Sequence, residues 1–337
     1  MKKIVTFGEV LMRLSPPNHL RFQQATAYDL HYAGAEFNTA ISLSLLGMPV
    51  SFVTRLPDND LSNCVIQQLS RFKVDTEKIV FGGKRIGLYY LESGAVLRGS
   101  KVIYDREHTS IAEIEAGMID WGDVLKDAAW FHFSGITAAI SQAAADETLR
   151  AVKTARSLGL QVSVDLNYRS KLWKYGKQPS EVMPEILEYC TVVIGDPGTT
   201  KLYFDIATDL PDGEERYHFV MKAMKHKFPG VENFIFSYRG LSNASNNSFG
   251  AYLYDGHQFY KSTEYNMPGM IDRVGGGDAL MAGLIYGLLN YDDRSDSLNF
   301  GVAASVLKSS IHGDTNFVSV AEVVDVMNGN TTGRISR

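Results

Sequence analysis

The sequence is short of several features that would mark a specialised class. It has only two cysteines in 337 residues, Cys64 and Cys190. They lie far apart and without metal-type spacing, so the expectation is two buried thiols in a reducing cytoplasm. It has no basic excess: the formal net charge is −5. That argues against a phosphate-neutralising nucleic-acid face, while leaving room for a local basic pocket that takes a small anion. Long apolar runs are missing too. In the opening "MKKIVTFGEVLMRL", Glu9 interrupts the apolar stretch too soon for a signal-peptide core, and no segment approaches the ~18 residues of a membrane span. Fixed-period repeats, low-complexity tracts and an obvious interdomain linker are also absent. What remains is an ordinary globular composition, 45% hydrophobic and 21% charged, in a chain long enough for one large α/β domain or two smaller ones. A soluble cytoplasmic protein is expected, with neither nucleic acid nor membrane as partner.

The apolar pattern alternates between two periods. "IVTFG" reads as a buried strand, and Val10, Met12 and Leu14 suggest a half-exposed one. From Gly34, Phe37, Ile41 and Leu45 recur at helical spacing until Gly47 stops the helix. After the strand "VSFVT" (50–54), Asp58 is placed to cap a helix carrying Leu61, Val65 and Leu69. Residues 85–106 are aromatic and β-branched with no helical period, so they read as a small strand set inserted between α/β units. Strand and helix then alternate: "WFHFSG" (130–135), a helix from Ser141 to near Gly159, "QVSVDLN" (161–167), a helix near 180–189, "TVVIGD" (191–196), a helix around 214–226, and "NFIFSY" (233–238). Ser319 and Glu322 form a capping box for a last helix. Buried β-branched strands alternating with helices imply a mostly parallel sheet covered on both faces. A single α/β domain over 1–337 is expected, with a β lid built from about 10–33 and 85–108.

Ligands of an open parallel sheet bind beyond the carboxyl ends of its strands. This selects "AGAEFN" (33–38), "SGIT" (134–137), "DLNYRS" (165–170), "GDPGTT" (195–200), "SYRGLS" (237–242) and "DRVGGGD" (272–278) as rim segments. In the last, three glycines precede a helix. A helix start offers unpaired N–H groups and the positive end of the macrodipole, both favouring phosphate, and Gly275, Gly276 and Gly277 bring no side chain into the way. The spacing is neither a dinucleotide fingerprint nor a P-loop. Asp278, on the first turn, is a plain helix-start carboxylate or a base held beside a bound phosphate. Asp272 belongs to the preceding loop or to metal and phosphate support. Arg106 and Arg169 could converge on a carboxylate or a transferring phosphoryl group.

"DRVGGGDALMAGL" resembles the C-terminal signature of the ribokinase-like (PfkB type) carbohydrate kinases, D-T-x-G-A-G-D; "FGEVLMRLSP" and "GAEFNTAISLSLLG" resemble that family's start. The resemblance covers nearly the whole chain. It implies a three-layer α/β/α domain with a mostly parallel central sheet plus a small β-sheet lid that often mediates dimers. It also implies Asp278 as catalytic base and Gly275 to Gly277 as the anion hole. Within the family, "AGAEFNTA", Tyr89, "VIYDR", "FSGI" and "DLNYRSKLW" resemble the 2-keto-3-deoxygluconate kinases. By that resemblance Gly34, Asn38, Tyr89, Tyr104, Arg106, Ile136 and Arg169 contact the sugar acid, and "IHGDTN" adds Asp314. Asn167, Ser237, Arg239 and Gly240 are candidates for the nucleotide. The implied cofactors are ATP and Mg²⁺, with room for a monovalent cation such as K⁺. The family's N-x-x-E element is replaced by "GDPGTT", which leaves Asp196, acting through water, as the metal candidate. The alternatives are a kinase of the same family for another sugar such as fructose or for a different keto-deoxy acid, a catalytically silent sugar-acid sensor and, most weakly, a nicotinamide oxidoreductase.

Overall fold

The computed structural model describes residues 3–241 and 246–331. Six parallel strands lie side by side in the order Val50–Val53, Lys3–Phe7, Ala128–Ser134, Gln161–Asp165, Val192–Gly195 and Asn233–Leu241. Successive side chains enter opposite cores. Ile4, Trp130 and Val192 face a layer with Phe37, Leu284 and Val302, whereas Val5, Phe131 and Val193 face one with Val152, Met183 and Met221. Both faces are therefore buried, as near-continuous apolar strands require, and the architecture is α/β/α. The antiparallel strands Asn246–Tyr254, Phe259–Lys261 and Tyr265–Pro268 extend one edge. A separate four-stranded sheet, Asp29–Ala33, Leu11–Ser15, Gly87–Glu92 and Lys101–Asp105, stands over the carboxyl ends. It lies within the two segments expected as a lid. No helix among the described residues is long and apolar enough to cross a membrane.

Several local expectations are corrected. The strand Leu11–Ser15 buries Leu11, Arg13 and Ser15 and leaves Met12 and Leu14 half-buried, the reverse of its apolar pattern. Arg13 finds two carboxylates inside, which reverses the usual preference of the pleat. The helix Asp60–Arg71 is capped by Asn59, not Asp58: the Asn59 side chain accepts from the Ser62 N–H. That helix buries Ser62, Val65 and Leu69, while Leu61 and Cys64 lie on its solvent face. Only Cys190 is a buried thiol. The rim segment "SYRGLS" is not a strand-to-helix loop: the strand continues through Leu241 and pairs antiparallel with Asn246–Tyr254, and Ser237 and Arg239 reach the rim from it. Residues 242–245 of the Ser/Asn-rich stretch lie outside the described residues.

Two helices position the most important groups. Gly276–Asn290 and Arg294–Lys308 approach so closely that a Cβ on Gly283 would sit 2.7 Å from the Gly301 Cα. Any larger residue at Gly283 would push the two apart.

Candidate active site

The carboxyl ends of the strands, the small sheet and two helix starts enclose a cleft of about 690 Å³. Gly275 opens the helix Gly276–Asn290 in the left-handed region, φ 82°. A Cβ there would also meet the Asp314 carbonyl at 1.9 Å, so glycine is required on both counts. A Cβ on Gly276 or Gly277 would meet nothing closer than 3.5 Å. Contacts within the protein therefore do not demand glycine at those two positions. The N-cap Gly275 has no side chain to accept the first-turn N–H groups, which leaves them for an anion in the cleft.

Asp278 follows on that first turn. Its Oδ2 accepts a 2.7 Å hydrogen bond from the Asn38 amide, which fixes the carboxylate. The Asn38 Oδ1 is buried and has no partner among the described residues, so a donor supplied by a ligand would satisfy it. Loss of hydration, with Asp165, Asp314 and Glu36 nearby, pushes Asp278 from 3.8 to about 8 against the opposing Asn38 bond. A carboxyl tuned to that range is suited to accept a proton near neutrality. Asp165, at the end of its strand, is likewise raised to about 6 by burial, with Glu36 and Asp196 adding to the effect against Arg169 and the Asn167 N–H. Its Oδ1 accepts from that N–H at 3.1 Å, and its Oδ2 faces Gly277, 3.7 Å from where a Cβ would lie.

Four arginines line the same cleft: Arg106 and, exposed at its rim, the three residues Arg169, Arg239 and Arg273. Lost hydration, then the cations of Arg273 and Arg169, lower Arg239 from its ordinary value, although it is exposed at the rim. Arg169 donates to the Tyr168 carbonyl at 3.0 Å, and Arg239 lies 5.5 Å over the Phe249 ring. Among the described residues none of the three has a carboxylate within ion-pair distance. Like charges gathered without counter-charges repel one another, so the cluster gains from a polyanion.

Deeper under the small sheet the charges are paired. Arg13 donates to Asp272 and Asp314, each at 2.8 Å, and to Ser15 at 2.8 Å. Tyr89 donates to Asp314 at 2.5 Å, and Asp272 accepts the N–H groups of Val274 and Gly313. Burial alone would weaken the Arg13 proton, but Asp314 and Asp272 hold it above the ordinary range. The assembly ties the small sheet to the glycine loop, so Asp272 supports the loop. Arg106 pairs with Glu9 and stacks 5.5 Å from the Tyr104 ring. Its Nε is buried without a partner among the described residues.

Every residue expected from the sequence lines this cleft except Gly240. Gly240 lies farther along its strand against Ser248, whose Oγ is 2.5 Å from its Cβ position. Asp165, Arg13 and Arg273 escaped the sequence reading. The first stands at the strand-end position that the rim rule marks, and the third occupies the threonine position of the glycine signature. Arg13 carried no signal beyond an apolar alternation that pointed it outward. Asp196 lines the cleft, but its Oδ1 accepts the Gly198 and Thr199 N–H groups and its Oδ2 accepts the Thr199 hydroxyl. No group of three or more metal-ligating side chains occurs among the described residues.

A carboxyl raised toward neutrality beside a glycine-opened helix start, facing arginines without carboxylate partners among the described residues, has the equipment of a group-transfer enzyme. The chain belongs to the pfkB family of carbohydrate kinases, whose family model matches residues 1–320, and it is a carbohydrate kinase. A crystal structure of 2-dehydro-3-deoxygluconokinase from Thermotoga maritima is similar with a TM-score of 0.93 at 36% identity, covering 98% of this chain and 100% of that one. The 2-dehydro-3-deoxygalactonokinase of Haloferax volcanii is 29% identical over 98% of both chains. The 2-dehydro-3-deoxygluconokinase of Thermoproteus tenax is 25% identical over 93% of this chain and 90% of its own. Family membership sets aside the oxidoreductase alternative.

Proposed function

We propose that the protein phosphorylates a 2-keto-3-deoxy sugar acid, with 2-keto-3-deoxygluconate as first choice, using ATP to form the 6-phosphate. The observation that carries this reading is the Asp278 carboxyl, raised to about 8 and held by Asn38 at the start of the glycine helix. Asp278 takes the proton from the terminal hydroxyl. The hydroxyl oxygen forms its bond to the γ-phosphorus as the bond to the β-phosphate oxygen breaks, and ADP leaves. The N–H groups of Gly275 to Gly277 and the unpaired arginines hold the transferring charge. Ser237 and Arg239 border the nucleotide side, with Asn167 shaping the Asp165 turn beside them. Gly34, Tyr89, Tyr104 and Ile136 shape the sugar side, where Arg169 and Arg106 recognise the acid. Arg106 keeps one unpaired Nε for this although Glu9 already holds its other end.

The donor set suits Mg²⁺ carried in on the phosphates. Asp165 keeps an oxygen toward the glycine loop, and Asp196 offers its remaining lone pairs through water, with no protein cage needed. When bound, the ion neutralises phosphate charge.

The small sheet would act as the lid over the sugar. Its outer face carries Leu30, Leu14, Tyr90 and Ile103 in one cross-strand row, with Leu30 and Ile103 about half exposed. Such a face suits pairing with a second copy of the chain.

Phosphoryl transfer from ATP to a panel of 2-keto-3-deoxygluconate, its galactonate epimer, 5-keto-2-deoxygluconate, fructose and ribose tests the reading. The highest kcat/KM is expected on a 2-keto-3-deoxy acid. A preference for fructose or ribose would overturn the substrate, and binding without transfer would identify a sensor.

A further inference from the structure

Lys308 ends the helix Arg294–Lys308, and none of its surface is exposed. Lysine is rarely buried to this degree unless paired. Its ammonium donates to the Ile311 carbonyl at 2.9 Å, and an ammonium has two further protons to place. The acids it feels most, Asp272 and Asp314, are both already bridged to Arg13. Arg13 opposes it, Asp278 favours it, and burial lowers its affinity for the proton. The Lys308 Cε lies 3.1 Å from the position of a Cβ on Gly275. The side chain therefore packs directly against the glycine loop without lining the cleft.

We infer that Lys308 is a positioning residue that supplies a fixed positive charge to the Gly275–Gly277 anion hole. Several observations favour this over simple packing. A methionine would fill similar volume without the penalty of burying a charge. The helix C-terminus attracts a cation, but such a cation normally stays solvated at the surface. Here it is enclosed between the paired acids and the loop whose N–H groups face the anion. Charge placed there strengthens the loop's pull on phosphoryl oxygens without entering the cleft. With a cation of the chain already held beside the loop, activity should not depend on added K⁺.

The inference rests on the Gly275–Gly277 loop binding phosphoryl oxygens, and its tests separate the two. K308M should fold with an unchanged or higher Tm, lose at least about tenfold in kcat and keep its sugar KM. Its affinity for the transition-state mimic ADP–aluminium fluoride should weaken by at least about tenfold, a measurement that needs no sugar assignment. K308A should regain activity with methylammonium but not with methanol. Wild-type turnover should change less than about twofold when K⁺ replaces choline. Folded K308M with near wild-type kcat and mimic affinity, rescue by methanol as good as by methylammonium, or strong K⁺ stimulation of the wild type would each overturn the role. If neither variant folds, the wild-type cation comparison still decides. Failure of wild-type protein to bind the mimic would overturn both the loop's role and this inference, whereas loss confined to turnover would count only against the Asp278 reading.

Discussion

Asp272 and Asp278 stand at the two ends of one glycine loop and live under opposite conditions. Asp272 is bridged to Arg13 and takes two backbone N–H groups, in an assembly where Asp314 and Tyr89 satisfy the remaining bonds. Asp278 has one amide partner, like-charged neighbours in Asp165 and Glu36, and three arginines at the cleft rim, Arg169, Arg239 and Arg273, that pair with no carboxylate among the described residues. The first region spends its charges on holding the small sheet to the loop. The second leaves them unmatched, which weakens the fold locally but keeps them available for a ligand. Removing a partner should therefore destabilise the first region, whereas neutralising a charge in the second should stabilise the protein and stop the reaction.

The largest effect is expected from Arg13→Ala, which leaves two buried carboxylates without their cation. A loss of about 3–5 kcal/mol is expected in urea unfolding, and a loss below about 1 kcal/mol would break the comparison. Next, Asp278→Asn should lower kcat by at least ~10²-fold with ATP affinity, read by calorimetry, nearly intact. The same variant should melt higher than wild type, since it removes a poorly hydrated carboxyl with acidic neighbours.

The pH dependence follows from the sign of the shift. Asp278 is raised, so its stabilising contribution is full below the ordinary aspartate value and is lost as pH rises through about 8. The Tm gap between Asp278→Asn and wild type should thus widen from pH 4 to pH 8 and then level. The proposed base works only when ionised, so kcat/KM should climb about tenfold per pH unit below about 8 and then plateau. A flat gap or a falling limb would place the proton elsewhere. The smallest effect separates two neighbours far from the cleft: Asn59→Ala should cost about 1 kcal/mol through the lost helix cap, and Asp58→Ala should stay within about 0.5 kcal/mol.

Much of this was legible in one dimension. The period change at Gly34, the β-branched strands and the capping box at Ser319 are local signals, and the structure keeps them. The rim rule worked because strand ends gather whatever the loops contain, so Asn38, Arg169, Asp196 and Asp278 met in one cleft. Reading failed where a distant partner reversed a local preference. Arg13 points inward because Asp272 and Asp314 wait there, and Arg239 extends a strand because Asn246–Tyr254 pairs with it.

Periodicity and the signature at 272–278 were enough to determine the α/β class and the kinase family, and glycine placement nominated an anion site and its candidate base, because each depends on residues close together in the chain. Tertiary structure alone decided which charges are matched. Arg13 closes on Asp272 and Asp314, Lys308 is sealed against Gly275, and Asp278 is left raised and waiting. Coulomb interactions and loss of hydration depend on distance through space, and spacing along the chain does not report that distance.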